Sequence, residues 1–588
     1  MHTFARVILP PPVPCHNRVA HHCGDGSRVT GPVGVRLRSP LQWVFAAAFV
    51  VLMGGMPASA QQTLQIEETA ATPLDQPDPS QVIATGAALE RDRQWSDAIR
   101  HYEKAWRAYP NHREIYQRLI ISRLHYDVNR RYNDKSFVAS AHRLSASQAL
   151  DLYTEILANL ETHYVEPITW SRVLLHGTAS LEVALTEDSF LRDALSGVDA
   201  DRVRQFRETI HRRIADRPSN NRFDLRATVA FVANTASTEL GLNSTAVVLE
   251  YVGGAVSTLD TYTRLLSGDQ LDEMFSNIEG NFVGLGVELK TEEDALRILS
   301  VIPGGPAEEA GMLPGERIIR VEHSQTQQSD PNVAADLLRG PEQSYVSLTV
   351  ENLQGQRRDL NVQRRRVDVP CVENVHLVDS VSRIGYLRLT NFQKTTTRDV
   401  ERALWDLHRQ GMRGLILDLR GNPGGLLSAA VEVADRFMGQ GRIVTTRGRN
   451  SRENFDYVAH RANTWDVPLA VLIDGDSASA SEIFAGAIAD SGRGVLVGER
   501  SYGKGSVQGI FRMQSAKFGL CLTTAKFYSP SGKAISQNGV DPDLFVQSEY
   551  IAARPNDQGR LTLDTEDSVL QKAADTLAAR NQMISQRD

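Results

Sequence analysis

Leu469-Ala470-Val471-Leu472-Ile473-Asp474-Gly475-Asp476-Ser477-Ala478-Ser479-Ala480-Ser481-Glu482 passes from an unbroken apolar run into a turn of small polar residues, and from there into helix-forming sequence. A short apolar run bounded by turn residues reads as a buried strand, and 480–490 reads as a helix. A serine at such a strand-to-helix turn has an exposed hydroxyl, and the next backbone N–H groups point outward from the helix start. One turn can then supply a nucleophile and part of an oxyanion site. Ser479 and Glu482 also form S-x-x-E, a capping box. On this segment alone, the helix cap is the better reading of Ser479.

The flanking sequence repeats the alternation. Strand candidates fall at Ile384–Leu389, Gly414–Leu419 and Gly494–Val497, and helical candidates at 396–409 and 427–438. After Pro370 this argues for an α/β layered domain. The strand at 414–419 runs into Arg420-Gly421-Asn422-Pro423-Gly424-Gly425. A Gly-Gly pair there exposes backbone N–H groups that suit an oxyanion, although any crossover loop can contain one. The strand at 494–497 leads to Gly498-Glu499-Arg500-Ser501-Tyr502-Gly503-Lys504-Gly505-Ser506-Val507-Gln508. A lysine buried in an apolar site can have its pKa lowered to roughly 7–8 and then accept a proton from serine. The flanking glycines permit unusual backbone and leave room for a substrate chain. A solvated loop lysine is the plain alternative. Gly498-x-x-x-x-Gly503-Lys504 is also a P-loop skeleton, but Gly505 stands where a magnesium-binding Ser or Thr is needed, and Ser506–Phe511 reads as strand rather than helix.

Upstream, Gly280 to about Arg366 is strand-rich with Gly and Pro turns, while Ser145 to about Asn277 has helical periodicity (Leu150, Leu152, Ile156, Leu160) with a polar stretch at 189–243. Gly86, Ala98, Tyr102, Ala105 and Pro110 fall at the small, aromatic and proline positions of one tetratricopeptide repeat, or of an ordinary helical hairpin. A lone repeat cannot bury its own apolar face and must dock on something. Residues 61–80 resemble a flexible linker. Arg36 and Arg38, the apolar run Leu41–Met53 and Ala58-Ser59-Ala60 have the three parts of a secretory signal peptide; an uncleaved membrane anchor is the alternative.

With 588 residues the chain exceeds one hydrophobic core, so several domains are expected. A net charge of −7 gives no reason to expect nucleic-acid binding. Of the four cysteines, Cys15 and Cys23 precede the expected cleavage point, and Cys371 and Cys521 show neither disulfide-framework nor zinc-ligand spacing. His408 and His460 sit in a helical pattern and a polar loop, away from any strand end that carries chemistry. No HExxH or clustered metal-ligand motif occurs, so neither metal nor cofactor is expected.

In this order the segments resemble the carboxyl-terminal processing proteases, the S41 family of tail-specific serine peptidases with a Ser–Lys dyad. The resemblance runs from about Leu259 to Val546. It rests on Leu259-Asp260-Thr261-Tyr262-Thr263, Gly284-Leu285-Gly286-Val287, Pro306–Met312, Leu337–Pro341, Arg420–Gly425, Ser477–Glu482, Gly503–Gln508 and Tyr528–Gly532. The family spacing of twenty-five positions selects Ser479 over Ser477 or Ser481 as nucleophile and makes Lys504 the general base. Gln508 resembles the residue that positions the lysine, and Asp490 matches an acidic position used in some members. The N–H of Ala480, with that of Gly424 or Gly425, would form the oxyanion hole. Gly284, Leu285, Gly286 and Val287 would capture a terminal carboxylate, with the following strand pairing the peptide. Thr261 stands where the family usually has proline.

The resemblance implies a multidomain α/β protein: a crotonase-like (ββα) protease core with an inserted PDZ domain and an N-terminal helical region. The expected plan is a signal peptide (1–60), linker (61–80), tetratricopeptide-like segment (81–143), helical domain (144–278), PDZ domain (279–366), protease core (367–548) and tail (549–588). Expected partners are proteins or peptides with free C-terminal tails, with a protein adaptor at the helical region and a homo-oligomer left open. The expected place is exported, in a bacterial periplasm. The rival is a catalytically silent scaffold that binds through the tetratricopeptide-like and PDZ parts.

Overall fold

In the computed structural model the described residues are 78–195, 199–215, 217–257, 259–292, 295–322, 324–325, 338, 340–379, 381–460, 464–547 and 567–585. The signal peptide and nearly all of the linker expectation lie outside them. Among the described residues no helix is long and apolar enough to cross a membrane. The chain divides into two units, Met1–Ser122 and Arg123–Asp588.

In the first unit, helices Pro79–Arg91 and Trp95–Ala108 form the hairpin expected from the repeat-like spacing. The reason for a small residue at 86 is direct: a Cβ there would lie 2.2 Å from the Tyr102 ring. Tyr102 is fully buried with Val82, Ala98 and Ala105, and Ile115 and Leu119 of the next helix cover them.

In the second unit, helices Ala146–His163, Trp170–Ala184, Arg222–Leu240 and Ser244–Ser257 bury one another around Leu152, Ile156, Val232 and Tyr251. Gly254 lets two of these helices meet backbone to backbone, since a Cβ there would stand 2.4 Å from the His176 carbonyl. The polar stretch 189–243 is folded too: helix Ala200–Ala215 buries Phe206 and Ile210 and leaves its charges in water. The helical pattern expected to about Asn277 is broken at Arg264–Ser267, a strand paired antiparallel with Phe518, Gly519, Leu520 and Cys521. Four residues are too few to declare a strand by periodicity, and the partner lies far along the chain.

A sheet ordered Val287–Thr291, Leu296–Val301, Arg317–Val321, Tyr345–Glu351, Arg357–Gln363 follows, with Ser324–Gln325 against the third strand. Val287–Thr291 is its edge. Next come two further sheets. One places Arg264–Ser267, Phe518–Tyr528, Arg442–Gly448 and Phe455–Val458 side by side, with Ser506–Arg512 paired to Phe518–Tyr528. The other runs Val372–Asp379, Ile384–Leu389, Gly414–Asp418, Leu469–Ile473, Val495–Gly498, Leu544–Phe545, parallel after its first strand. Helices Thr396–Arg409, Leu427–Asp435 and Ala480–Asp490 cover one face.

Helix Ser568–Ser585 covers the opposite face, burying Val569, Ala573 and Leu577 against Tyr386, Ile416 and Leu472. The 549–588 tail reads as polar and then helical in sequence, without a packing partner. Alanine-rich, weakly amphipathic sequence does not declare what it packs on.

Candidate active site

Gly414–Asp418, Leu469–Ile473 and Val495–Gly498 are neighbours in the parallel sheet, and the Gly-Gly, serine and lysine motifs each follow the carboxyl end of one of them. In open α/β sheets, that edge is where sites form. The three loops are stitched together. Asn422 is the hub of the first: its carbonyl accepts from Ala478 N–H and Ser481 Oγ (both 3.0 Å), and its amide donates to the Leu389 carbonyl (2.7 Å). Ser477 Oγ donates to the Leu419 carbonyl (2.8 Å), and Tyr502 N–H to the Ser477 carbonyl (3.0 Å).

Ser479 occupies a strained backbone conformation, φ 57° and ψ −111°, at the first residue before its helix. Outside glycine such a φ is uncommon and costs of order 1–3 kcal/mol, tolerated where surrounding structure imposes it. Glu482 imposes it. Its carboxylate is fully buried and accepts four hydrogen bonds: from Ser501 Oγ (2.7 Å) and Gly503 N–H (2.7 Å) on Oε1, and from Ser479 N–H (2.8 Å) and Lys504 N–H (2.9 Å) on Oε2. The main-chain nitrogens of the two candidate catalytic residues are therefore no more than about 6 Å apart. Burial pushes this carboxyl above the ordinary glutamate range, and the four donors partly offset it. Glu482 N–H donates to the Ser479 carbonyl (3.0 Å), and Ser479 and Glu482 together form the capping box expected from S-x-x-E.

The N–H of Ala480 meets no acceptor among the described residues, nor does that of Gly425. Gly424 differs: its N–H donates to Asn422 Oδ1 (2.9 Å), so of the two expected oxyanion donors Gly424 is the engaged one. Its φ of 103° and the 2.8 Å that would separate a Cβ from Ala480 N explain the need for glycine.

Lys504 is half-buried, and no hydrogen bond links its Nζ to Ser479 Oγ. The ammonium stands over the Tyr262 ring, 5.0 Å from the centroid. Burial holds its pKa below the usual lysine value; Cys521 and Glu482 act against that and Arg264 with it.

Comparison with known proteins now bears on this arrangement. Residues 383–546 match peptidase family S41, and 297–352 match a PDZ domain. A carboxy-terminal-processing protease of Bartonella bacilliformis is 36% identical over 302 residues, covering 50% of this chain and 68% of the relative. The carboxyl-terminal-processing protease of a Picosynechococcus species is 34% identical over 342 residues, covering 57% of this chain and 80% of its own. The chain belongs to the carboxyl-terminal-processing proteases. It is a serine endopeptidase of family S41 with a PDZ domain, an S41 core and a helical N-terminal region. Among solved structures, the photosystem II D1 C-terminal processing protease is similar at 25% identity, covering 68% of this chain and 93% of that one, with a TM-score of 0.36.

Two expected residues of this protease stand elsewhere. Gln508 does not bond to Lys504; its amide donates to Ser506 Oγ (2.9 Å) and Thr523 Oγ1 (3.5 Å). Asp490 ends the helix that Ser479 begins, about 16 Å away at helical rise. It accepts from Ser531 N–H (2.9 Å). Burial opposes its charge, but hydrogen bonds from Ser529 and Ser531 outweigh that and hold its pKa below the ordinary carboxylate value. In the PDZ loop, Gly286 has φ 79° and the N–H groups of Leu285 and Gly286 meet no acceptor among the described residues. Leu285 is buried, and its carbonyl accepts from Ala307 N–H (2.8 Å).

The sequence reading missed Glu482 as more than a capping partner, and missed Asp567. The latter receives Arg420 Nη1 (3.0 Å) and Nη2 (2.8 Å), while Arg420 also grips buried Asp418 (2.7 Å). Asp567 caps the C-terminal helix through Leu570 N–H (3.0 Å). Only the fold brings 420 and 567 together.

Proposed function

We propose that this protease cleaves proteins presented by unstructured C-terminal tails, by acyl transfer through a Ser479–Lys504 dyad. The observation that carries the reading is the Glu482 carboxylate, which binds the main chain of both residues on a single oxygen. Neutral Lys504 takes the Ser479 proton, Ser479 attacks the scissile carbonyl, and the oxyanion is received by the N–H groups of Ala480 and Gly425. Lys504 then protonates the leaving amine and water releases the acyl group. A crotonase-like core fits the helix-covered parallel sheet.

Tail recognition draws support from the edge position of Val287–Thr291 and the unengaged amides at 285 and 286, which suit strand addition and carboxylate capture. A folded terminus could not add a strand. Export to a periplasm is proposed from the segment at Arg36–Ala60. The silent-scaffold alternative gains nothing from a buried carboxylate spent on arranging a serine and a lysine.

The test is cleavage of an unfolded protein with an apolar C-terminal tail by wild type, Ser479→Ala and Lys504→Ala. Both variants should lose activity by at least ~10³-fold. Activity surviving in either would remove the dyad, and indifference of the wild type to amidation of the tail would remove carboxylate recognition.

A further inference from the structure

Lys504 poses a physical problem that the dyad alone does not solve. A half-buried ammonium needs acceptors or a counter-charge, and its Nζ has no hydrogen bond or ion pair among the described residues; the group under it is the Tyr262 ring at 5.0 Å. An ammonium over an aromatic face is stabilised by the ring quadrupole, more so where water is partly excluded.

The main chain that carries the ring is held firmly. Asp260 Oδ1 accepts from the N–H groups of Tyr262 (2.7 Å) and Thr263 (2.9 Å), and Oδ2 from Thr263 Oγ1 (2.6 Å). This turn is fastened to Phe518–Tyr528, the strand paired with that of Ser506–Arg512: Thr523 donates through N–H to Thr263 Oγ1 and through Oγ1 to Asp260 Oδ1 (both 3.1 Å). Gln508, expected to steer the lysine, donates to the same Thr523 (3.5 Å). The lysine thus leans on a ring whose main chain is tied to the sheet that carries its own loop, while its main-chain N–H is fixed by Glu482.

We propose that Tyr262 is a positioning residue that parks the base: its ring holds the Lys504 ammonium away from Ser479, and Nζ must leave the ring before the serine proton can be taken. This rests on the dyad reading given above. The other charged or titratable groups around Nζ are Arg264 on the neighbouring strand, Cys521 on Phe518–Tyr528 with Asp260 beyond it, and Glu482 on the serine's helix. Burial pushes the Cys521 thiol up, so it is neutral near pH 7 and supplies no counter-charge. Arg264 disfavours the ammonium, and the Glu482 carboxylate is already committed to four donors.

The sign of the effect follows. The ring favours the protonated lysine, so removing it makes the neutral base available at lower pH. For Tyr262→Leu the acid limb of kcat/KM should move down by roughly half to one pH unit, while Tyr262→Phe, which keeps the ring, should stay within ~0.2 unit. Replacing position 262 by phenylalanine carrying one, two and three fluorines preserves shape while draining the ring face. That series should move the limb down step by step, and it decides the matter even if the leucine variant does not fold. Coincident limbs across the fluorinated series, or a phenylalanine variant shifted as far as leucine, would overturn the parking role. Lys504→Ala, measured alongside, separates the two layers. If it is inactive and the series is flat, parking falls and the dyad stands. If it retains the wild-type limb, the dyad falls and parking with it.

Discussion

The serine turn and the lysine loop are built alike, small residues after a buried parallel strand, yet they are held in opposite ways. At the serine turn, several side chains and main-chain groups are tied down: Ser477, Ala478 and Ser481 to the loop of Leu419 and Asn422, and Ser479 N–H to Glu482, around a strained φ at 479. In the lysine loop Ser501 Oγ and the N–H groups of Gly503 and Lys504 reach the same carboxylate. The lysine side chain lies on an aromatic face without a hydrogen bond among the described residues. On the proposed dyad, the contrast teaches that the serine turn and the unengaged N–H groups beside it are prearranged, as electrostatic stabilisation requires, whereas the lysine side chain is the less constrained partner.

The most damaging way to break this contrast is to remove its shared anchor. Glu482→Ala leaves four donors without an acceptor, at about 1–3 kcal/mol each before relaxation. It should lower unfolding stability by at least ~3 kcal/mol in denaturant titration and reduce cleavage by more than ~10²-fold. A variant of wild-type stability would show that the carboxylate does not organise the two loops.

A smaller effect of opposite sign is expected at Lys504. Because burial depresses the folded-state pKa of Lys504, its contribution is fully present above the unfolded lysine pKa and is lost as pH falls through the folded value. Lys504→Met should therefore raise Tm at pH 7 while abolishing cleavage, and its advantage should shrink as pH approaches ~10.4. A Tm that falls at pH 7 would mean the lysine is well solvated or paired.

Much of this site was legible because it lies in local sequence. Leu469–Ile473 and Ala480–Asp490 form the strand and helix that apolar run and turn chemistry indicate, and the three motifs sit at neighbouring strand ends. What escaped was non-local. Glu482 looks like a cap because S-x-x-E has one local meaning, while its bonds to Ser501, Gly503 and Lys504 exist only once two strands are adjacent. Arg264–Ser267 pairs with residues more than 250 positions away. The Arg420–Asp567 clasp needs the C-terminal helix to fold back onto the sheet. Asp490 was named from its match to an acidic position of some family members, and a helix of eleven residues carries its two ends apart.

The most direct measurement is the identity and rate of the residue labelled by a fluorophosphonate, read by mass spectrometry in wild type and Lys504→Ala across pH 6–10. The account predicts a single adduct on Ser479 in the wild type, forming faster as pH rises through the lysine titration, and none in the alanine variant on the same timescale. An adduct on Ser477 or Ser481, or equal labelling of Ser479 without Lys504, would contradict it.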